Sequence, residues 1–153
     1  IGLSCDSVDD HHAWSRDVLS AKGLQGEALD FPLIGDKDRS IAALLGMLDP
    51  LEQDAEGVPM PARALFLIGP DRRLRFSVIY PATSGRSFSE ILRVIDAVGL
   101  SERHRVAMPA AWSPGGQVFP QALVDDGSAQ SLPSGRLYLN YSDCPLVPAA
   151  LAA

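Results

Sequence analysis

Cysteine is scarce in this 153-residue chain: there are two, Cys5 and Cys144, far apart in sequence. That excludes a disulfide framework and a paired-thiol metal site, and makes a reducing, cytoplasmic compartment the expectation. The three histidines, His11, His12 and His104, have no ligand spacing, and the adjacent two point apart on a helix. No metal and no cofactor is expected. Positive charge is in deficit, 13 Lys and Arg against 19 Asp and Glu for a net −6, which argues against nucleic acid or an anionic membrane as partner. No apolar run approaches the ~20 residues that span a bilayer. There are no internal repeats. An initiator Met is absent too. Ile1 lies inside what reads as a strand, so the chain is expected to be a fragment preceded by at least one further strand and a helix.

What is present is an ordinary globular composition, 46% apolar and 21% charged. Ile1 to Cys5 reads as a short strand with Ile1, Leu3 and Cys5 on one face. Ser7 with Asp10 three residues on predicts a helix start, and Gly23 a stop just after Lys22. The apolar face of that helix is expected to carry Trp14, Val18 and Ala21, with His11 packed among them as a hydrogen-bonded histidine. Phe31 to Ile34 reads as a second strand, started by Pro32. A short helix from Asp38 to Leu45 should bury Ile41, Leu44 and Leu45. Asp36 and Asp38 ahead of it read as caps and dipole partners rather than as a metal site. Gly46 to Pro61, punctuated by Pro50, Gly57 and Pro59, reads as a surface loop.

Ala64 to Ile68 is an unbroken apolar run, the pattern of a strand buried on both faces. Gly69-Pro70-Asp71 predicts a turn, and Leu74 to Tyr80 then alternates as a half-solvated strand, so the two form an antiparallel hairpin. Arg63 is the anomaly. A guanidinium at the mouth of the most apolar strand needs a partner or a task. Ser87 with Glu90 forms a capping-box signature for a helix whose stripe is Phe88, Ile91, Leu92, Ile95 and Val98, ended by Gly99.

The order β-α-β-α-β-β-α resembles the later part of a thioredoxin-type α/β fold with a mixed sheet, incomplete at the N-terminus, over residues 1–100. Residues 101–153 change character. Prolines and glycines punctuate them, Arg136 to Tyr141 alternates like one late strand, and Ala149 to Ala153 reads as a frayed tail. They are expected to form a small C-terminal domain or dimer arm.

Several stretches resemble the one-cysteine peroxiredoxins of the AhpC/TSA type: SVDDHHAW (7–14), GMLDP (46–50), GVPMPAR (57–63), GPDRRLR (69–75), YPATSGR (80–86) and FSEILRVID (88–96). RVAMPAAW (105–112) and LPSGRLYLNY (132–141) resemble that family's C-terminal domain. The order is kept along nearly the whole chain. Pro61 stands where the family usually has threonine, and the stretch between Trp112 and Leu132 is short for the family.

The resemblance implies a thiol-dependent peroxidase that reduces hydrogen peroxide and organic hydroperoxides through a cysteine sulfenic acid. An external thiol of glutathione or thioredoxin type would return the cysteine, and the protein would be a homodimer. The family's nucleophile lies in a P-x-x-x-T-x-x-C motif, which these 153 residues do not contain. Cys5 reads as a small apolar residue and Cys144 as a surface thiol. By the resemblance, Arg63 approaches the thiolate and the bound peroxide, and Arg86 joins the network around it. Some members also carry a Ser-His-Asp phospholipase arrangement, whose aspartate matches Asp71; its Ser and His have no match here. The alternative is a non-catalytic thioredoxin-fold module for binding or dimerisation.

Overall fold

The computed structural model describes residues 1–26, 28–120 and 141–144. Ile1–Arg86 and Ser87–Ala153 form two compact units.

The first unit opens with strand β1 (Gly2–Ser4), helix α1 (Val8–Ala21) and strand β2 (Leu33–Gly35). β1 and β2 pair in parallel, Leu3 opposite Ile34, so α1 is the crossover. The capping box forms as the sequence predicts: the Asp10 N–H donates to Ser7 Oγ at 3.2 Å and the Ser7 N–H to Asp10 Oδ2 at 3.1 Å. Gly23, at φ +67°, ends the helix. The buried stripe is His11, Ser15 and Leu19, not Trp14 and Ala21, which are exposed. One ring nitrogen of His11 has a partner in this core position, while its Nδ1 is buried without one. Ser4 Oγ donates to Asp6 Oδ2 at 2.8 Å and lies 2.5 Å from His11 Nε2.

Helix α2 (Ser40–Leu44) is held at its start by Asp36, which is only 2% exposed. Asp36 Oδ1 accepts from the Ile41 N–H at 3.1 Å and Oδ2 from the Ala42 N–H at 2.7 Å. Asp38 Oδ1 accepts from the Ser40 N–H. Both carboxylates therefore cap, as expected. The expected burial is corrected: Ala42 is the enclosed residue, while Leu44 is 83% exposed and Leu45 is exposed. A helix of five residues has one turn to bury, and Gly46 at φ +64° ends it before Leu44 can turn inward.

Gly46 to Pro61 is not a loop. It holds strands β3 (Leu48–Gln53) and β4 (Pro59–Pro61), paired antiparallel. Prolines fit because the ladder is irregular: register shifts between Asp49 and Gln53, and Pro50 stands in the gap. Asp54 makes the corner, its Oδ1 accepting from the N–H groups of Glu56 and Val58.

The hairpin follows as β5 (Arg63–Ile68) and β6 (Leu74–Tyr80), from Arg63 opposite Tyr80 to Ile68 opposite Leu74. Its turn closes by bonds between Gly69 and the Arg72 and Arg73 backbone, and Asp71 bonds the Arg73 N–H and Arg75. β5 is half-buried rather than buried on both faces, since it pairs only with β6 among the described residues. The sheet is thus observed as separate two-stranded ladders, one parallel and two antiparallel in this unit.

In the second unit, helix α3 (Phe88–His104) runs through Gly99 and stops at Arg105, φ +54°. Gly99 is no terminator because Leu100, 0% exposed, carries the helix into a core with Val106, Trp112 and Val118. That packing outweighs the helix penalty of one glycine, about 1 kcal/mol. Only half of the expected capping box forms. Ser87 Oγ accepts from the Glu90 N–H, but the Glu90 carboxylate turns to Arg93 at 2.6 and 2.8 Å. Of the expected stripe Ile91 is buried, whereas Phe88, Leu92 and Ile95 are exposed. Strands β7 (Val106–Ala107) and β8 (Phe119–Pro120) pair antiparallel, and Val118 bridges Ser142. The Arg136–Tyr141 strand, apart from Tyr141, and the Ala149–Ala153 tail lie outside the described residues.

Candidate functional site

Arg63 is the first residue of β5 and is exposed. Its Nε donates to the Ala82 carbonyl at 3.4 Å, a weak bond. Among the described residues its terminal nitrogens have no partner and no carboxylate pairs with it. Arg39, Arg75 and Arg93 differ, each holding a carboxylate at 3.0 Å or less. Arg63 is therefore not a structural ion pair among the described residues.

Arg86 is half-buried and donates through Nη1 to the Ala64 carbonyl at 3.2 Å. Ala64 follows Arg63, so both guanidiniums sit on one seam. The segment 81–86 returns along the start of β5, pinned by Arg63 to Ala82 and by Arg86 to Ala64. A Ser84 N–H to Pro81 carbonyl bond folds it tightly. Each of the two expected site residues thus bonds the backbone segment that carries the other. The sequence carried no signal for the acceptors, because both are backbone carbonyls 19 and 22 residues from their donors.

This seam can present a delocalised cation beside an anion. Planar guanidinium N–H groups favour a thiolate and oxygens that gain charge. Asp71 lies at the turn, the opposite end of the hairpin. Burial pushes its carboxyl up, but the Arg73 N–H bond and the Arg75 bond and charge prevail and hold it below the usual range. Its contacts are those of a turn residue.

Cys5 does not resemble an activated nucleophile. Cys5 follows β1 and is half-buried. Burial is the largest influence and pushes its thiol up; Asp36 and Asp6 add to this, and Arg39 opposes it. A raised thiol pKa leaves less thiolate at neutral pH. Alkylation of Cys5 by iodoacetamide should therefore reach half its limiting rate at a pH above the ordinary ~8.5. The same shift stabilises the fold below the unfolded thiol's pKa, and that contribution is lost as pH rises through the folded value. A pH–rate profile with the cysteines resolved by mass spectrometry checks this. Cys144 is half-buried and packs against the Leu100–Trp112 core, which corrects the expectation of a plain surface thiol. Among the described residues no group of three His, Cys, Asp or Glu could hold a metal, and no helix is long and apolar enough to cross a membrane.

The AhpC/TSA family profile matches residues 1–77. Peroxiredoxin-6 of Rattus norvegicus is 46% identical over 156 residues, covering 95% of this chain and 70% of that protein. The crystal structure of a cysteine-to-serine mutant of the Arenicola marina peroxiredoxin 6 superposes with TM-score 0.85 at 43% identity, over 94% of this chain and 69% of that one. A yeast mitochondrial 1-Cys peroxiredoxin, solved to study thiol resolving through glutathione and thioredoxin systems, gives 0.72 at 29%, over 93% and 68%. Fold and likeness define a thioredoxin-like thiol peroxidase. The chain belongs to the AhpC/TSA family of peroxiredoxins and is part of a thiol-dependent peroxidase. The reading as a non-catalytic module is not favoured.

Proposed function

We infer that Arg63 is the guanidinium that faces the peroxidatic thiolate and the bound peroxide, and that Arg86 supports it. The observation that carries this is the uncommitted outer edge of Arg63 at the mouth of β5. The thiolate attacks one peroxide oxygen, the O–O bond breaks, and the departing oxygen leaves as water or an alcohol after taking a proton. Arg63 donates hydrogen bonds while charge moves from sulfur to oxygen. The cysteine is left as a sulfenic acid. A first external thiol condenses with it, releasing water, and a second frees the cysteine and leaves as the disulfide.

The substrates are hydrogen peroxide and organic hydroperoxides, and the reductant is a thiol of glutathione or thioredoxin type. The yeast relative's association with those systems supports this choice. The protein acts as a homodimer in the cytoplasm, with residues 101–153 as its C-terminal domain. Arg86 acts by holding Ala64, and hence the strand beside Arg63.

The test is the thiolate's own titration, followed by its ultraviolet absorbance in the peroxidase that contains these residues. Arg63→Gln removes the cation, and the cysteine pKa should rise toward the ordinary ~8.5. An unmoved pKa in a folded variant would sink the assignment.

A further inference from the structure

We propose that the Arg39–Asp54 ion pair is the device that fixes where Arg63 stands; its link to catalysis rests on the reading of Arg63 above. Arg39 and Asp54 are positioning residues, since neither touches the seam of Arg63 and Arg86.

The pair is well formed. Arg39 Nη2 meets Asp54 Oδ2 at 2.7 Å, and each side chain is 24% exposed. The local backbone is unusual there. Arg39 adopts φ +61° at the N-cap of α2, a left-handed conformation that a non-glycine residue occupies only when its surroundings impose it. Its Nε is buried with no partner. The backbone is held there by the Arg39 N–H to the Asp36 carbonyl and the Ala43 N–H to the Arg39 carbonyl, both 2.9 Å, and the side chain so placed makes its one ion pair with Asp54.

Asp54 is the corner of the β3–β4 hairpin. Its side chain accepts from Glu56 and Val58, its N–H donates to the Val58 carbonyl, and its carbonyl accepts from Gly57. The strand that leaves this corner leads straight into the site. β4 ends at Pro61, the Ala62 N–H donates to the Met47 carbonyl at 2.7 Å, and the next residue is Arg63. Met47 is in turn tied to α2, its N–H donating to the Ala42 carbonyl at 2.8 Å. α2 therefore holds the hairpin at both ends, through Met47 at the base and Arg39 at the tip.

The tip anchor is needed because the ladder between the ends is weak. Pro59 and Pro61 supply no N–H from β4, Pro50 supplies none from β3, and the register shifts between Asp49 and Gln53. A short ladder with few donors does not specify its own register. The three-quarters-buried pair does so from outside, and the register of β4 sets the entry of Arg63 into β5.

The experiment uses the 153-residue protein, with amide hydrogen exchange and the Arg63 Nε–H resonance as readouts. In Asp54→Asn the Ala62 amide should exchange at least about tenfold faster, and the Arg63 Nε–H signal should move. Amides at the centre of β5–β6, such as Phe66 and Ser77, should change less than about twofold. The reciprocal Arg39→Asp, Asp54→Arg protein should recover much of the loss, which a generic packing role would not produce. If Asp54→Asn does not fold, Arg39→Lys keeps the charge, loses the guanidinium fork and is read the same way. Unchanged Ala62 exchange and an unmoved Arg63 signal in a folded variant would overturn the proposal. In the peroxidase, Asp54→Asn should lower the second-order constant for peroxide and leave the KM for thiol unchanged. A moved Arg63 signal with unchanged peroxide kinetics would keep the positioning role and reject the catalytic reading of Arg63.

Discussion

Arg63→Lys in the peroxidase that contains these residues is expected to lower the second-order rate constant with peroxide by about 10²–10³-fold, the scale of losing one preorganised donor in a transition state. Thiol-dependent recycling should be unaffected. The charge is kept in this variant, so simple attraction of the thiolate survives in part. What is lost is the planar fork, which can hold two oxygens while one N–H stays on the backbone. The geometry makes this specific. Arg63 Nε is directed to the Ala82 carbonyl, and the two terminal nitrogens have no partner among the described residues, which leaves them free for the proposed role. A lysine ammonium has a single nitrogen for both tasks. Stopped-flow reaction of the reduced protein with hydrogen peroxide reads the constant directly, and a decrease smaller than about threefold would remove Arg63 from the transition state.

The largest stability effect is expected at Trp112. Trp112→Ala should cost about 3–5 kcal/mol, the range for emptying a buried aromatic site. Trp112 is 3% exposed and packs with Leu100, Val106 and Val118. Three polar contacts locate it. Its Nε1 donates to the Gly116 carbonyl at 3.1 Å, its N–H donates to the Pro109 carbonyl at 3.2 Å, and its carbonyl accepts from Arg93 at 3.3 Å. Gly116 completes the fit, since a Cβ there would lie 3.0 Å from the Ser113 carbonyl oxygen and 3.3 Å from the indole ring. Trp112→Phe keeps most of the volume and loses the indole bond, so it should cost only about 1–2 kcal/mol. Denaturant midpoints for the two variants separate volume from hydrogen bonding. Equal losses would mean that the indole bond, not the cavity, dominates.

Features set by local chemistry were legible in the sequence. The Ser7–Asp10 box, the Asp36 and Asp38 caps and the Gly69–Asp71 turn depend on residues a few positions apart, and all three form. Features set by distant packing were not. Gly99 reads as a terminator only if Leu100 has nowhere to go, and Leu100 is the centre of the second unit's core. Pro50, Pro59 and Pro61 read as loop residues because prolines do not build a regular ladder, yet an irregular two-stranded one accommodates them. The stripe Phe88, Leu92 and Ile95 shows that periodicity reports which face is apolar, not that the face is covered.

Arg63 was legible as a misplaced charge, and the resemblance supplied the task. Its neighbours were not legible. The return of segment 81–86 along β5 rests on guanidinium-to-carbonyl bonds that no residue pattern encodes. The Arg39–Asp54 bond joins two charges 15 residues apart, across a stretch that reads as loop.

We propose that this chain is the supporting wall of a peroxidase site, with neither Cys5 nor Cys144 as its nucleophile. The most direct measurement mixes the 153-residue protein with hydrogen peroxide and a thiol reductant and follows peroxide loss. Consumption should equal that of the reductant alone, with Cys5 and Cys144 oxidising no faster than ordinary thiols. Catalytic turnover above the reductant blank would contradict the account.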